Sequence, residues 1–167
     1  MMTTTSYIVD NSVFNEIFDV ANDGLNDFRV REGVSFENTP SGKRMLKYKQ
    51  ENVWPSLQNT VVLIRLSEMY LIAAEGWMED DPEHAAELLQ TLKQARTKSI
   101  VNKQTVTEEM ILLAMRKEFV GEGQLFYVYK RLNHDIIGNT SEDGVKASNS
   151  VFVLPLPEEE IEYGYRN

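Results

Sequence analysis

Cysteine is absent from all 167 residues, which excludes a disulfide framework, a thiolate metal site and a lipid-anchored cysteine within this stretch. Histidine occurs twice, as His84 and His134, and neither has a neighbouring serine or cysteine with which to build a nucleophilic triad. His84 and Glu87 lie three apart, but no second histidine completes a metal-ligating set, so no metal and no cofactor is expected. Basic residues are outnumbered, 17 against 26 acidic ones, for a formal net charge of −9. That balance argues against a phosphate-backbone partner, because nucleic-acid binding requires a concentrated basic face. No apolar run approaches the roughly 20 residues of a membrane span. The opening MMTTTSYIVDNS has no basic region followed by an apolar stretch, so no signal peptide is read there and the chain as written is expected to be soluble.

What is present suits one domain: 42% apolar and 26% charged residues are enough for a core and a solvated surface. The chain divides into a loop-rich lead-in (1–59), a helical core (60–132) and a loop with a proline-containing tail (133–167). From Asp135 onward seven acidic residues face only Lys146 and Arg166, which reads as a solvated acidic surface.

Asn11 to Val20 reads as a short helix with Val13, Phe14, Ile17 and Phe18 on one face. From Ala21 to Ser56 periodicity fails, and glycines and prolines leave room only for short strands around Arg29–Phe36 and Arg44–Lys49. Thr60 to Glu79 is the strongest helix. Leu63, Leu66, Tyr70, Ala74 and Trp77 form its expected buried stripe, and further apolar residues around it suggest a central position. Arg65 and Glu68, three apart, are expected to pair. Asp81 as N-cap and Pro82 at the first helical position start the next helix, which carries Ala85, Leu88, Leu89, Leu92 and Ala95 towards Lys98. The two helices form a tetratricopeptide-like hairpin, and one such unit cannot bury its own faces. A third helix opens at Thr105 or Thr107, with Thr105 and Glu108 in a capping-box pattern, and buries Ile111, Leu112, Met115 and Phe119. Gly121 and Gly123 break it before a helix from Gln124 to Leu132. Asn133 to Ser150 reads as a polar loop. The run VFVLPLP is expected to begin extended, and its prolines oppose regular pairing.

Little here points to chemistry. Gly121-Glu122-Gly123 lacks the spacing and following lysine of a phosphate loop. Carboxylate neighbours such as Asp80–Asp81 and Glu158–Glu160 sit in a cap and a tail, not across a cleft as glycoside hydrolysis demands. No catalytic residue is assigned, and the chain is read as not an enzyme. Aromatic side chains are the remaining signal, because sugar rings stack on flat apolar faces. Trp54, before Pro55 in a loop, is the candidate ligand-binding platform, while Trp77, Phe126, Tyr127 and Tyr129 stand at helical spacing and read as core.

The run IRLSEMYLIAAEGWME (Ile64 to Glu79) resembles the helix in which SusD/RagB proteins carry I-R-L-A-E-x-Y-L-x-x-A-E; Ile64, Arg65, Leu66, Glu68, Tyr70, Leu71, Ala74 and Glu75 match. RKEFVGEGQLFYVYKRLN (Arg116 to Asn133) is similar to the family's E-R-x-x-E-x-x-x-E-G-x-R-x-x-D-L-x-R, retaining Glu118, Glu122, Gly123 and Arg131. VLPLPEEEI (Val153 to Ile161) resembles its closing L-P-I-P-x-x-E-I. NDFR (Asn26 to Arg29) and LKY (Leu46 to Tyr48) stand where the family often has N-D-x-R and K-Y. Each motif is weak alone; their order and spacing across Asn26 to Tyr163 are specific. Where many members carry arginine and aspartate, this chain has Leu125 and Val128, an apolar pair in place of an ion pair.

The resemblance implies a mainly α fold of tetratricopeptide-like hairpins with long irregular loops, the C-terminal portion of a SusD-like fold. Family members are several times longer, begin with a lipoprotein signal and cysteine, and place more helix pairs upstream. The chain is therefore read as a truncated or fragment form, with an exposed apolar surface that favours self-association. The resemblance also implies non-catalytic binding of a glycan or other nutrient on a Bacteroidetes-type outer membrane. The partner would be a SusC-type TonB-dependent transporter. No binding residue carries over. The competing readings are a helical-repeat adaptor that binds a protein and, more distantly, a glycosidase.

Overall fold

The computed structural model describes residues 8–22, 24–47, 63–138 and 144–157. Helix α1 (Asn11–Phe18) starts where Asp10 accepts a hydrogen bond from the Ser12 amide, and ends at Asp19 in the left-handed conformation. All four apolar positions of its face are buried. Strands β1 (Ile8–Val9), β2 (Phe36–Thr39) and β3 (Gly42–Met45) form an antiparallel sheet in the order β1-β3-β2, with Phe36 opposite Met45 and Ile8 opposite Arg44. The expected strands are thus displaced. Arg29 lies in a 3-10 turn, Phe28–Val30, and the first hairpin strand begins only at Phe36. Phe14, Phe18 and Phe36 stack edge to face or tilted at 5.0 to 5.8 Å, tying α1 to the sheet.

Helices α2 (Leu66–Gly76) and α3 (Pro82–Gln94) pack as the expected hairpin. The Asp81 carboxylate caps α3 by accepting from the His84 amide at 3.0 Å, and Pro82 opens it. The stripe predicted for α2 is rotated. Ser67, Leu71 and Ala74 are buried, whereas Leu63, Leu66 and Trp77 are exposed and Tyr70 is half-buried. A helix apolar on most of its circumference offers two faces with equal spacing, and only its partners choose between them. Met69 and Ile72 are exposed as well, so α2 presents an uncovered apolar face. Ala95 is likewise exposed, because α3 ends one residue before it.

The central element is α4 (Glu108–Phe119), not α2. Thr107 caps it, its hydroxyl accepting from the Met110 amide; Thr105 takes no part in that cap. Ile111, Met115 and Phe119 face α2 and α3, and Leu112 faces Tyr129 and Phe152. Val120, just past its end, joins the α1–sheet cluster. The chain then turns through Gly121 (φ 72°) and Gly123 (φ 76°) into α5 (Leu125–Leu132). Positive φ at both positions is the conformation side chains with a Cβ resist, so the glycines permit this reversal. Leu125 and Val128 pack between two core clusters, as an apolar pair should. Asn149–Phe152, where the end of the polar loop and the start of an extended run are expected, is a single helical turn, α6, which seats Phe152 against α4 and α5. Beyond it, residues 154–157 form no regular structure.

Candidate functional site

Six charged residues of the quoted motifs, Asp27, Arg29, Lys47, Arg65, Glu118 and Glu122, scattered across nearly a hundred positions, meet at the C-terminal end of α4. Asp27 caps the 3-10 turn, accepting from the Arg29 amide at 2.9 Å, and its carboxylate also takes Arg29 Nε at 3.0 Å and Nη2 at 2.6 Å. This turn is docked beside the end of α3 by backbone bonds from Phe28 N to Arg96 O and from Lys98 N to Asn26 O. Gly24, just before the turn, allows the chain to lie against the end of α1, since a Cβ there would fall 1.8 Å from the Phe18 carbonyl oxygen. Arg29 Nη1 then reaches Glu118 Oε1 at 2.6 Å, and Arg96 Nε reaches the same oxygen at 2.8 Å.

A second set adjoins the first. Glu122, held between the two glycines, receives Lys47 Nζ on Oε1 at 2.9 Å and Arg65 Nη2 on Oε2 at 2.8 Å. Lys47 and Arg65 both also donate to the Glu118 carbonyl oxygen, which joins the two sets. The Arg65 guanidinium lies 5.3 Å from the Phe119 ring centre. Arg65 thus pairs across the fold and not with Glu68 three positions on. The side chains of Glu118 and Glu122 are only 5% exposed.

Burial favours the neutral form of Glu118, but the Arg96 hydrogen bond and the charges of Arg29 and Arg96 outweigh it and hold the carboxyl below its usual range. The Ser67 hydroxyl contributes in the same sense. Lys47 is pushed down by burial, against the pull of Glu122. Among the described residues no buried side-chain nitrogen or oxygen lacks a hydrogen-bond partner. A carboxylate saturated by fixed cations is poorly suited to proton transfer and well suited to bracing four segments of chain together.

One side of this cluster opens into a cavity of about 460 Å³. Its walls come from the ends of α3 and α4, the Asp27–Arg29 turn and the segment after α3. That volume falls within the roughly 300–1,000 Å³ of small-molecule sites. Its lining combines apolar Phe18, Leu92, Met110 and Leu113 with polar Lys93, Lys117, Asn102 and Gln104. Sequence reading missed this cavity, because Lys93 and Lys117 look like ordinary last-turn cations until the two helix ends are brought side by side.

Trp54, the platform proposed from the sequence, lies outside the described residues, as do Glu158–Glu160. Of the four aromatics assigned to the core, Tyr129 is buried, whereas Trp77, Phe126 and Tyr127 are substantially exposed. Trp77 sits at the tip of the α2–α3 hairpin with its ring edge-on to His84 at 5.6 Å. His134 Nδ1 contacts the Asp135 carbonyl oxygen at 2.8 Å. Among the described residues no group of three or more His, Asp or Glu side chains is placed to hold a metal ion, and no helix is long and apolar enough to cross a membrane.

No protein-family model matches the chain, and no curated protein matches it. A crystal structure of a SusD superfamily protein from Bacteroides thetaiotaomicron VPI-5482 does, with a TM-score of 0.68 and 26% sequence identity over 92% of this chain. The chain spans 38% of the length of that protein. In the order of its motifs and in a mainly helical backbone alike, the chain is SusD-like.

Proposed function

We propose that the chain serves in non-catalytic capture of a glycan or other nutrient at the cell surface, as part of a SusD-like protein partnered with a SusC-type TonB-dependent transporter of the outer membrane. The observation that carries this reading is the convergence of Asp27, Arg29, Lys47, Arg65, Glu118 and Glu122, all drawn from SusD/RagB-like motifs, into one buried cluster within a SusD-like fold. Their saturation by one another suits a scaffold that positions a binding surface, and no covalent step is assigned to them. In this reading residues 1–167 form a single domain, the C-terminal part of a longer SusD-like protein. The uncovered face of α2 is where further helices pack, and the intact protein is a lipid-anchored surface protein.

The runner-up, a helical-repeat adaptor, draws on that same face, since Leu66, Met69, Ile72 and Trp77 are exposed together on one hairpin. The fold match and the buried cluster favour the first reading. Affinity electrophoresis of the purified chain through gels containing a panel of polysaccharides, with a parallel assay for new reducing ends, tests it. Retardation by at least one glycan without release of reducing ends is expected. Release of reducing ends, or binding to proteins alone, would overturn it.

A further inference from the structure

We propose that the cavity between the ends of α3 and α4 binds the anionic group of an acidic sugar between the ammonium groups of Lys93 and Lys117, with the ring lying against Leu92, Met110 and Leu113. This rests on the nutrient-capture reading and names its ligand class.

Four cations line the cavity, Arg29, Lys93, Arg96 and Lys117, against three carboxylates, Asp19, Asp27 and Glu118. Arg29 and Arg96 are consumed by Asp27 and Glu118. Asp19 accepts from the Asn22 side chain at 2.6 Å. Among the described residues neither Lys93 nor Lys117 makes an ion pair; the Lys117 ammonium lies 6.0 Å from the Phe18 ring, and the nearby carboxylates of Asp27 and Asp19 are already engaged by Arg29 and Asn22. Both lysines are half-buried. In a chain of net charge −9, two lysines without an ion pair in one recess make a locally cationic spot.

Withdrawal from water costs a charge free energy that a partner normally offsets. Burial pushes both lysines below the usual range; for Lys117 the nearby charges of Arg29 and Lys93 act in the same direction, and those of Asp27 and Asp19 oppose it without reversing it. An anion placed between them removes both penalties. The rest of the lining fits a sugar better than a bare ion. The apolar side chains in the lining suit a ring face, and the exposed amides of Asn102 and Gln104 suit hydroxyls. Carboxylate and sulfate would satisfy the lysines equally, so uronic and sulfated sugars share the required chemistry.

The test is calorimetric titration of the whole chain with digalacturonate, a sulfated galactose disaccharide and a neutral galactose disaccharide, repeated on K93Q/K117Q. We expect one or both acidic ligands to bind at least tenfold more tightly than the neutral one, with affinity falling as salt is raised. K93Q/K117Q should lose that preference while melting at or above the native temperature. Which acidic ligand binds separates carboxylate from sulfate as the source. Equal binding of neutral and acidic sugars, or an unchanged preference in K93Q/K117Q, overturns the inference while leaving nutrient capture standing. If none of the three binds and the polysaccharide gels also show no retardation, both readings fall.

Discussion

Ion pairs of the same chemical kind occur in two settings in this molecule, and they differ in what they can do. At the end of α4, Glu118 and Glu122 are withdrawn from water and held by Arg29, Arg96, Lys47 and Arg65, joining segments up to 89 residues apart in the chain. On the outer surface Lys103 bridges Glu83 and Glu87, and Lys146 meets Asp135, at distances as short as those in the interior. Distance therefore does not rank them; burial does. An exposed pair exchanges one set of water contacts for another, whereas a buried charge deprived of its partner has nowhere to go.

The largest effect follows from emptying the buried site. E118A leaves Arg96 without its ion-pair partner and Arg29 with Asp27 alone, and should cost about 3–5 kcal/mol, read as a drop in the urea midpoint. That is a large share of the roughly 5–15 kcal/mol available to a domain. Loss of less than about 1 kcal/mol would mean that the cluster is not what braces the loop against the helices. Acid probes the same carboxyl without mutation. Because its folded pKa is depressed, its contribution is complete above the ordinary glutamate value of about 4.3 and is lost as pH falls through the folded value. Stability should therefore fall on acidification below that range, and E118Q should show a shallower acid limb than the native chain.

The next effect sharpens the contrast by introducing a charge where the chain now has none. Leu125 and Val128 pack between two core clusters at the positions where SusD/RagB-like motifs place arginine and aspartate. L125R alone inserts a partly buried, unpaired guanidinium and should cost about 2–3 kcal/mol. Adding V128D one helical turn on should recover at least about 0.5 kcal/mol, measured as coupling in a double-mutant cycle. Absence of coupling would argue that the apolar pair is more than an exchanged ion pair.

Much of this architecture is legible in the sequence, and the failures share one cause. Local signals held: the face of α1, the Asp81–Pro82 start of α3, the four buried positions of α4 and the glycine break after it all follow from spacing within a few residues. What failed depends on partners far away. Spacing points Leu66 and Trp77 inward with Ala74 because α2 is apolar nearly all round, and only α3 and α4 select Leu71 beside Ala74; Leu63 precedes the helix, which begins at Leu66 and not at Thr60 as its pattern suggests. Arg65, at the cap of α2, finds Glu122 across the fold and not Glu68 three positions on, because a buried carboxylate offers more than a half-buried neighbour. The motif residues of the cluster were readable as members of a resembling pattern, yet nothing in their spacing says that they touch. Lys93 and Lys117 gave no signal at all, since a surplus of charge is visible only after every other charge has been paired.

A smaller effect belongs to Glu75 and Arg131, a bidentate pair between α2 and α5 at 2.5 and 2.8 Å, with Arg131 about half exposed. Its geometry is as good as any in the interior, but water competes for it. R131A should cost roughly 0.2–1 kcal/mol, diminishing with added salt.

Smallest of all is the change expected at Lys103, although this lysine contacts two carboxylates where Arg131 contacts one. Its hydrogen bonds raise its pKa, first through Glu83 and then Glu87, yet both of those carboxylates stand well out in solvent, unlike Glu75. K103A should leave the urea midpoint unchanged within error at physiological salt. At low ionic strength a slight loss should appear, because Glu83 and Glu87 stand four apart on α3 and repel once the cation between them is removed. If contact number governed the strength of these pairs, K103A would exceed R131A. An effect as large as that of R131A, persisting in salt, would therefore sink the ranking by burial on which the contrast between the two settings stands.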